Sequence, residues 1–189
     1  SSVYGINPNL PWKESDINLM PISPYASSKI ADEWLGKTLT NTSDFDFISL
    51  RFFTVYGPRQ RPDLAINSFF RKILKGEPIT VFGDGSTIRD YTYIDDIVDG
   101  ITGVINKYEQ KGYSVFNLGS NHPIKLMDMI KEIEETIGIK ALINYTVMQK
   151  GDAPKTFSDS SKARESFGFE PKISFKEGIK RYYDWLKYA

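Results

Sequence analysis

The chain has 189 residues, of which 40% are hydrophobic and 25% charged, a balance typical of a folded globular protein. Its 24 basic and 24 acidic residues give a net charge of zero, so we expect no nucleic-acid partner. The absence of cysteine excludes a disulfide scaffold, a thiol nucleophile and a cysteine-ligated zinc site, and a single histidine argues against other metal sites. No apolar run reaches the length of a membrane span and no segment resembles a signal peptide, so we expect a cytoplasmic protein without membrane contact.

The first elements in the sequence are a loop, a helix and a strand. After a loop rich in Pro, Asn and Ser, a helix is predicted over residues 25–40, with Ser23 as its N-cap and Pro24 in its first turn. Residues 45–53 are apolar enough for a buried strand. The Gly- and Pro-containing residues 54–63 predict a second loop.

The rest of the sequence continues to alternate between strands and helices, which predicts an α/β fold. Asp95 or Asp96 is expected to cap one helix, and Gly76 and Gly138 to follow the ends of two others. Predicted strands cover residues 79–82, 91–94, 113–118 and 141–145. Predicted helices cover residues 64–75, 95–107, 126–137, 160–167 and 175–188, and residues 149–159 form a polar loop.

Tyr25 and Lys29 are four residues apart, so on a helix their side chains share one face. A tyrosine ordinarily has a pKa of about 10 and is a poor base at neutral pH. A nearby cation favours the phenolate, so such a pair can exchange a proton with a sugar hydroxyl. The same spacing also occurs where a packed tyrosine lies beside a solvated lysine, so the pair alone leaves both interpretations open.

Longer motifs give this pair a context. They are VYG at 3–5, SPYASSK at 23–29, LRFFTVYGPRQRPD at 50–63, VFGDGSTIRDYTYIDDIVDG at 81–100, FNLGS at 116–120, MQKGDAPKTFSDSSKA at 148–163 and GIKRYYDWL at 178–186. In these motifs the chain resembles the extended short-chain dehydrogenases/reductases that act on nucleotide sugars, the NAD-dependent epimerases and dehydratases. The resemblance covers nearly the whole chain.

The resemblance implies a particular architecture, the C-terminal part of a Rossmann-type doubly wound sheet plus a smaller α/β substrate-binding lobe. Residues 1–57 and 92–119 are then expected to be a remnant of the NAD-binding Rossmann domain. Residues 58–91 and 120–189 are expected to form the UDP-sugar-binding lobe. The resemblance also implies a homodimer for the intact enzyme.

The resemblance implies roles for individual residues as well. Tyr25 matches the family's catalytic acid/base, and Lys29 matches the catalytic lysine that binds the nicotinamide ribose of NAD. Phe52 and Phe53 match residues that line the nicotinamide, although on their own they indicate only a buried strand end. The residues expected to bind the UDP-sugar are Ser1, Ser2, Thr54, Arg61, Thr80, Phe82, Arg89, Gln149 and Asp152.

Within this substrate set, residues 80–82 are expected to pack on the uracil and Arg89 to reach the diphosphate, a role that suits a guanidinium. The alternative for Arg89 is a surface ion pair with Asp90 or Asp95. In the family branch that acts on UDP-glucuronate, residues matching Thr54 and Arg61 contact the sugar carboxylate. A fixed cation there selects an acid over an alcohol at C6.

The residues before VYG favour epimerisation at C4, through a transient 4-keto sugar, with UDP-glucuronate as the first choice of substrate. Family dehydratases carry Asp-Glu where this chain has Ser1-Ser2. A UDP-glucose or UDP-N-acetylglucosamine 4-epimerase, a nucleotide-sugar 4,6-dehydratase and a non-catalytic UDP-sugar-binding module stay open as alternatives. The sequence contains no Gly-rich dinucleotide fingerprint. We therefore expect the C-terminal part of an NAD-dependent enzyme, inactive by itself.

Overall fold

The structure, a computed structural model, describes residues 1–148 and 151–188. Within these residues a short 3-10 helix at Ser2–Tyr4 precedes helices and strands that alternate, so the predicted α/β class is confirmed. The α-helices are α1 (Pro24–Thr42), α2 (Ala65–Leu74), α3 (Ile94–Lys107), α4 (Leu126–Ile137), α5 (Ser161–Phe167) and α6 (Phe175–Leu186). The strands are β1 (Phe47–Phe52), β2 (Thr54–Tyr56), β3 (Ile79–Phe82), β4 (Ile88–Tyr93), β5 (Tyr113–Leu118), β6 (Pro123–Lys125) and β7 (Ile143–Thr146).

The described strands form three small sheets in which parallel pairing dominates. β1 pairs with β5 in parallel, with Phe47 opposite Tyr113 and Phe52 opposite Leu118. β2 pairs in parallel with β4, β4 also pairs antiparallel with β6, and β3 pairs in parallel with β7. Parallel strands joined through helices are the arrangement that a doubly wound α/β fold requires.

Buried apolar side chains form three clusters. The largest joins α2, α4 and α6 to β3 and β4, around residues such as Phe70, Val81 and Tyr182. A second cluster lies between α3, β5 and α5, and a third joins Val3, Tyr4, Trp12 and Phe53. α5 therefore packs on elements that the sequence assigned to the other lobe. The predicted division of the chain into two lobes stays a prediction.

Two local predictions are wrong at particular residues, and one strand was missed. Residues 54–56 form β2 rather than a loop, because Thr54, Val55 and Tyr56 suit a strand and pair with residues 91–93 of β4. Neither predicted aspartate caps α3, whose N-cap is Tyr93. The buried Asp96 instead accepts hydrogen bonds from the backbone N–H groups of Lys172 and Ile173, at 2.8 and 3.2 Å. The short strand β6 was not predicted.

Candidate active site

The side chains of Tyr25 and Lys29 lie on the wall of an open groove between α1 and β1, which we call the α1–β1 groove. The groove has a volume of about 370 Å³, and Ser1, Ser2 and Phe52 line it as well. Tyr25 is 64% exposed. The groove thus presents a phenol, an ammonium group and an aromatic ring to one space.

The start of α1 explains the position of this pair. The Ser23 side chain accepts a hydrogen bond from the Ala26 N–H at 3.1 Å, and Pro24 occupies the first turn, so the predicted cap is confirmed. The Lys29 ammonium lies 5.7 Å from the centre of the Tyr25 ring and 2.8 Å from the Asp32 carboxylate. The hydrogen bond that Lys29 donates to Asp32 raises the pKa of Lys29.

Phe52 and Phe53 lie on opposite sides of the chain, although the sequence assigned both to the cofactor. Phe52 is 38% exposed and lines the α1–β1 groove. Phe53 is 1% exposed and packs in the third cluster, with its ring centre 6.3 Å from that of Tyr4 and 6.2 Å from that of Trp12. Successive side chains in extended backbone point to opposite faces, so only one of the two can line the groove.

A second space, the central cavity, lies next to the groove. It has a volume of about 180 Å³, and five of the residues predicted to bind substrate line it, namely Ser1, Ser2, Thr54, Arg89 and Asp152. Ser1 and Ser2 line both the groove and this cavity, so the two spaces adjoin.

A third space, the α2–β3 cavity, lies on the other side of Arg89. It has a volume of about 360 Å³ and contains the predicted uracil contacts Thr80 and Phe82 on its wall. Arg89 and Asp152 line both this cavity and the central one. The three spaces are therefore neighbours that follow one another from Tyr25 past Arg89 to Phe82, and we call this series of spaces the path.

Arg89 occupies the junction of the last two spaces and is held there by two hydrogen bonds. Its guanidinium donates to the Ile88 carbonyl at 2.9 Å and to the Asp152 carboxylate at 2.5 Å. The Arg89 side chain is only 16% exposed. Its partner is Asp152, and neither Asp90 nor Asp95, the two partners considered from the sequence, takes that place. A guanidinium has five N–H groups, so further donors remain for an anion in the cavities.

Arg61, which was predicted to bind substrate, does not line this path. The Arg61 side chain is 73% exposed and donates to the Asp63 carboxylate at 3.1 Å. It does not line any of the three spaces. Gln149 lies outside the described residues.

A buried polar network beside the groove was missed from the sequence. The Arg51 guanidinium donates two hydrogen bonds to the Glu33 carboxylate, at 2.8 and 2.7 Å, and a third to the Tyr4 hydroxyl at 2.8 Å. The Tyr4 hydroxyl in turn donates to Asn117 at 2.8 Å. An arginine within an otherwise apolar strand was the signal that could have found it, because a buried charge requires a partner.

This network fixes the face that α1 turns toward the groove. Glu33 follows Lys29 by four residues and Tyr25 by eight, so the three side chains share one stripe of the helix. Arg51 on β1 holds that stripe through Glu33. Burial also raises the pKa of Tyr4 to about 12, so this tyrosine stays a neutral phenol. Of the two tyrosines near Arg51 and Lys29, only Tyr25 faces the groove beside a cation.

Among the described residues, no group of three or more His, Asp or Glu side chains is arranged to hold a metal ion. None of the described helices is both long and apolar enough to cross a membrane. The groups that line the path include hydroxyl, guanidinium, ammonium and aromatic groups. Such groups bind phosphates, sugar hydroxyls and flat rings.

Comparison with known proteins gives these observations a family. The sequence model of the NAD dependent epimerase/dehydratase family matches residues 1–119. The chain is 41% identical over 189 residues to a UDP-glucuronate 4-epimerase of Thermodesulfobacterium geofontis. This alignment covers 99% of this chain and 57% of the relative. The chain spans 56–61% of the length of three further curated relatives that it matches.

Solved structures agree with these matches. The UDP-glucuronic acid 4-epimerase from Bacillus cereus, in complex with UDP-glucuronic acid and NAD, superposes with a TM-score of 0.94 at 34% identity, over 100% of this chain and 59% of the other. A UDP-glucose 4-epimerase from Thermotoga maritima with UDP-glucose gives a TM-score of 0.92 at 32% identity, over 99% and 60%.

Proposed function

The chain belongs to the NAD-dependent epimerase/dehydratase family, and from that premise we propose that it carries the Tyr/Lys pair and the substrate side of a UDP-sugar 4-epimerase. The observation that carries the proposal is the series of three adjoining spaces that runs from Tyr25 and Lys29, past Arg89, to Phe82. A UDP-sugar has its reactive ring at one end, its diphosphate in the middle and its base at the other. The path offers matching groups in that order.

The α1–β1 groove fits the nicotinamide end of NAD. The ring of Phe52 offers an aromatic contact, while Lys29 and Tyr25 offer donors to a ribose. Phe53 is too deeply buried to share this role. When bound, NAD supplies the redox chemistry by accepting a hydride from C4 of the sugar and returning it to the opposite face.

Tyr25 is proposed to take the proton of the sugar 4-hydroxyl and to give it back once the 4-keto sugar has turned over. Its exposure leaves the hydroxyl accessible, and the Lys29 ammonium lies 5.7 Å from the centre of its ring. Positioned proton transfer of this kind is worth about 10²–10⁴-fold in rate.

The substrate side is assigned in the same order. Ser1, Ser2 and Thr54 contact the sugar in the central cavity, Arg89 binds the diphosphate and Asp152 lies beside it. Thr80 and Phe82 pack on the uracil in the α2–β3 cavity. Gln149 belongs to the proposed set from the sequence alone.

UDP-glucuronate is the proposed substrate, and UDP-galacturonate the product. The relative from T. geofontis and the B. cereus structure carry that activity in their names. Arg61 would have to leave Asp63 and enter the central cavity to bind the sugar carboxylate. UDP-glucose is the second candidate, which the T. maritima structure favours, since the central cavity itself contains hydroxyls and one guanidinium.

The proposal extends to the properties of the whole protein. The 189 residues lack a Gly-rich dinucleotide fingerprint, so we propose that they do not turn over UDP-sugars unaided. We also propose a cytoplasmic homodimer that serves carbohydrate biosynthesis, with α1 in the dimer interface. Trp34 and Leu35 on α1 are each 60% exposed, which is unusual for large apolar side chains on one helix.

A chimera tests the proposed activity. The segment of the T. geofontis relative that precedes the matched region is joined to residue 1, and the product is assayed with UDP-glucuronate, UDP-glucose and UDP-N-acetylglucosamine. We expect epimerisation at C4, fastest with UDP-glucuronate. Loss of water from C6 would instead indicate a dehydratase, and a chimera that binds UDP without any turnover would indicate a binding module. The chain without the added segment, mixed with NAD, is the control and should be inactive.

A further inference from the structure

One cation on the wall of the α2–β3 cavity has no role in the assignments above. Lys72 lines this cavity together with Asp63, Arg89 and Asp152, and it is half-buried. Asp152 pairs with Arg89, and Asp63 pairs with Arg61. Within the described part of the chain, no carboxylate lies within ion-pair distance of the Lys72 ammonium. Among the charged side chains on this cavity wall, Lys72 is therefore the one that has no ion-pair partner among the described residues.

The face of α2 that carries Lys72 is shaped to leave space for a ligand. The residues of α2 on the cavity wall are Ala65, Ser68, Phe69 and Lys72. They follow a spacing of three, four and seven residues, so they form one stripe along the helix. Ala65 and Ser68 have small side chains, which leave space above this face of the helix. Phe69 packs into the core, and Lys72 is the last residue of the stripe. The neighbouring cations do not line the cavity: Arg71 donates to Asn67 at 2.7 Å, and Lys75, directly after the last helical residue, is exposed.

We propose that Lys72 is a second phosphate-binding cation of the nucleotide site, acting from α2 while Arg89 acts from β4. The inference rests on the proposed function, since it takes the ligand of this cavity to be a uridine nucleotide. A lysine binds phosphate as a point charge on a flexible stem, so it can reach into the cavity without a fixed geometry. The diphosphate then meets cations from two walls.

The experiment measures the affinity of the full chain for uridine, UMP and UDP by titration calorimetry. We expect Lys72→Met to weaken UDP binding by about 3–10-fold, the size of one partly solvated charge-assisted contact, and uridine binding by less than about twofold. Lys72→Arg should restore most of the UDP affinity. Lys75→Met is the matched control, because it removes the same charge from the same helix end but does not line the cavity.

The outcomes separate this inference from the function on which it rests. If the chain binds UDP and Lys72→Met binds it equally well, Lys72 has no phosphate role and the proposed function stands. An equal loss for uridine and UDP would place Lys72 on the base, which also overturns the inference. A similar loss of UDP affinity in Lys75→Met would show that the effect comes from the overall charge of the chain and not from a contact of Lys72, which overturns the inference as well. If the unaltered chain does not bind UDP at all, both proposals fail. Thermal melting of each variant verifies that it is folded.

Discussion

The two ends of the proposed site are built in different ways. In the α1–β1 groove the chemical groups are exposed: Tyr25 is 64% and Phe52 38% accessible. The α2–β3 cavity is rooted in the largest apolar cluster, where Phe69 and Tyr91 are each 7% exposed. The shape of the groove thus depends on how α1 is held against β1, whereas the shape of the cavity depends on the apolar core behind it.

Because of this difference, the residues proposed for the reaction can be tested separately from the residues proposed to bind the nucleotide. A side chain at the open groove can be changed with little loss of packing, so its removal should affect turnover alone. The groove's geometry rests on the buried pair of Arg51 and Glu33 together with a few apolar contacts of α1, such as that of Ile30 with the third cluster. The cavity should retain its shape when the groove is altered, and UDP binding should report on it independently.

The largest effect is expected at the groove. In the chimera, Tyr25→Phe should reduce epimerisation by about 10²–10⁴-fold, because it removes the group that moves the proton. UDP affinity, measured by calorimetry, should stay within about twofold, since the variant does not alter the α2–β3 cavity. Tyr145→Phe, at an exposed tyrosine of β7, is the control and should retain full activity. Substantial turnover in Tyr25→Phe would remove the acid/base assignment.

The next largest effect is expected at the buried pair of Arg51 and Glu33, which holds α1 against β1. Arg51→Met leaves the Glu33 carboxylate buried without its partner, and such losses cost about 3–5 kcal/mol of unfolding free energy. Chemical denaturation of the full chain measures this. Removing both charges with Arg51→Met and Glu33→Met should recover much of the loss, because replacing a buried pair by apolar groups is often neutral.

A matched surface pair gives the contrast for this prediction. Lys131 and Glu135 are 69% and 50% exposed at a separation of 3.8 Å. Lys131→Met should therefore cost less than about 1 kcal/mol. If Arg51→Met were equally mild, the network would not be what fixes α1 on β1.

Periodicity and turn residues predicted much of the fold. The strands Ile79–Phe82 and Tyr113–Leu118 and the helix Leu126–Ile137 occur with the predicted boundaries, since each is a short apolar or amphipathic run between turn residues. β2 was missed because its three residues are a strand only when β4 lies beside them. Asp96 was misassigned because a cap and a tertiary acceptor have the same residue type.

The site shows the same division between local and tertiary information. The Ser23 cap and the spacing of Tyr25 and Lys29 are local, so the sequence could place them on one helix face. The opposite orientations of Phe52 and Phe53 follow from extended backbone, but which of them is buried depends on Tyr4 and Trp12 from a distant segment. The partner of Arg89 is likewise 63 residues away in sequence, so no local pattern could reveal it.

A smaller effect is expected at the junction of the two cavities. Arg89→Met should weaken UDP binding by about 10–100-fold, the value of a charge-assisted hydrogen bond to phosphate, with uridine much less affected. The measurement is calorimetric titration of the full chain. Asp152→Asn in the same background should then have little further effect if Asp152 acts through Arg89, whereas additive losses would indicate that each residue binds the ligand separately.

The smallest predicted effect concerns substrate choice. Because Arg61 is exposed and its pair with Asp63 is solvated, Arg61→Ala should change stability by less than about 1 kcal/mol. In the chimera it should lower kcat/KM for UDP-glucuronate by about tenfold and leave that for UDP-glucose within about twofold, since only the acid offers a charge to pair. Arg59→Asn is the control: it removes a neighbouring charge, and asparagine tolerates the positive φ of 65° at that position. Equal losses of kcat/KM for both sugars would show that Arg61 does not bind the carboxylate. The groups that already line the central cavity would then have to select the acid.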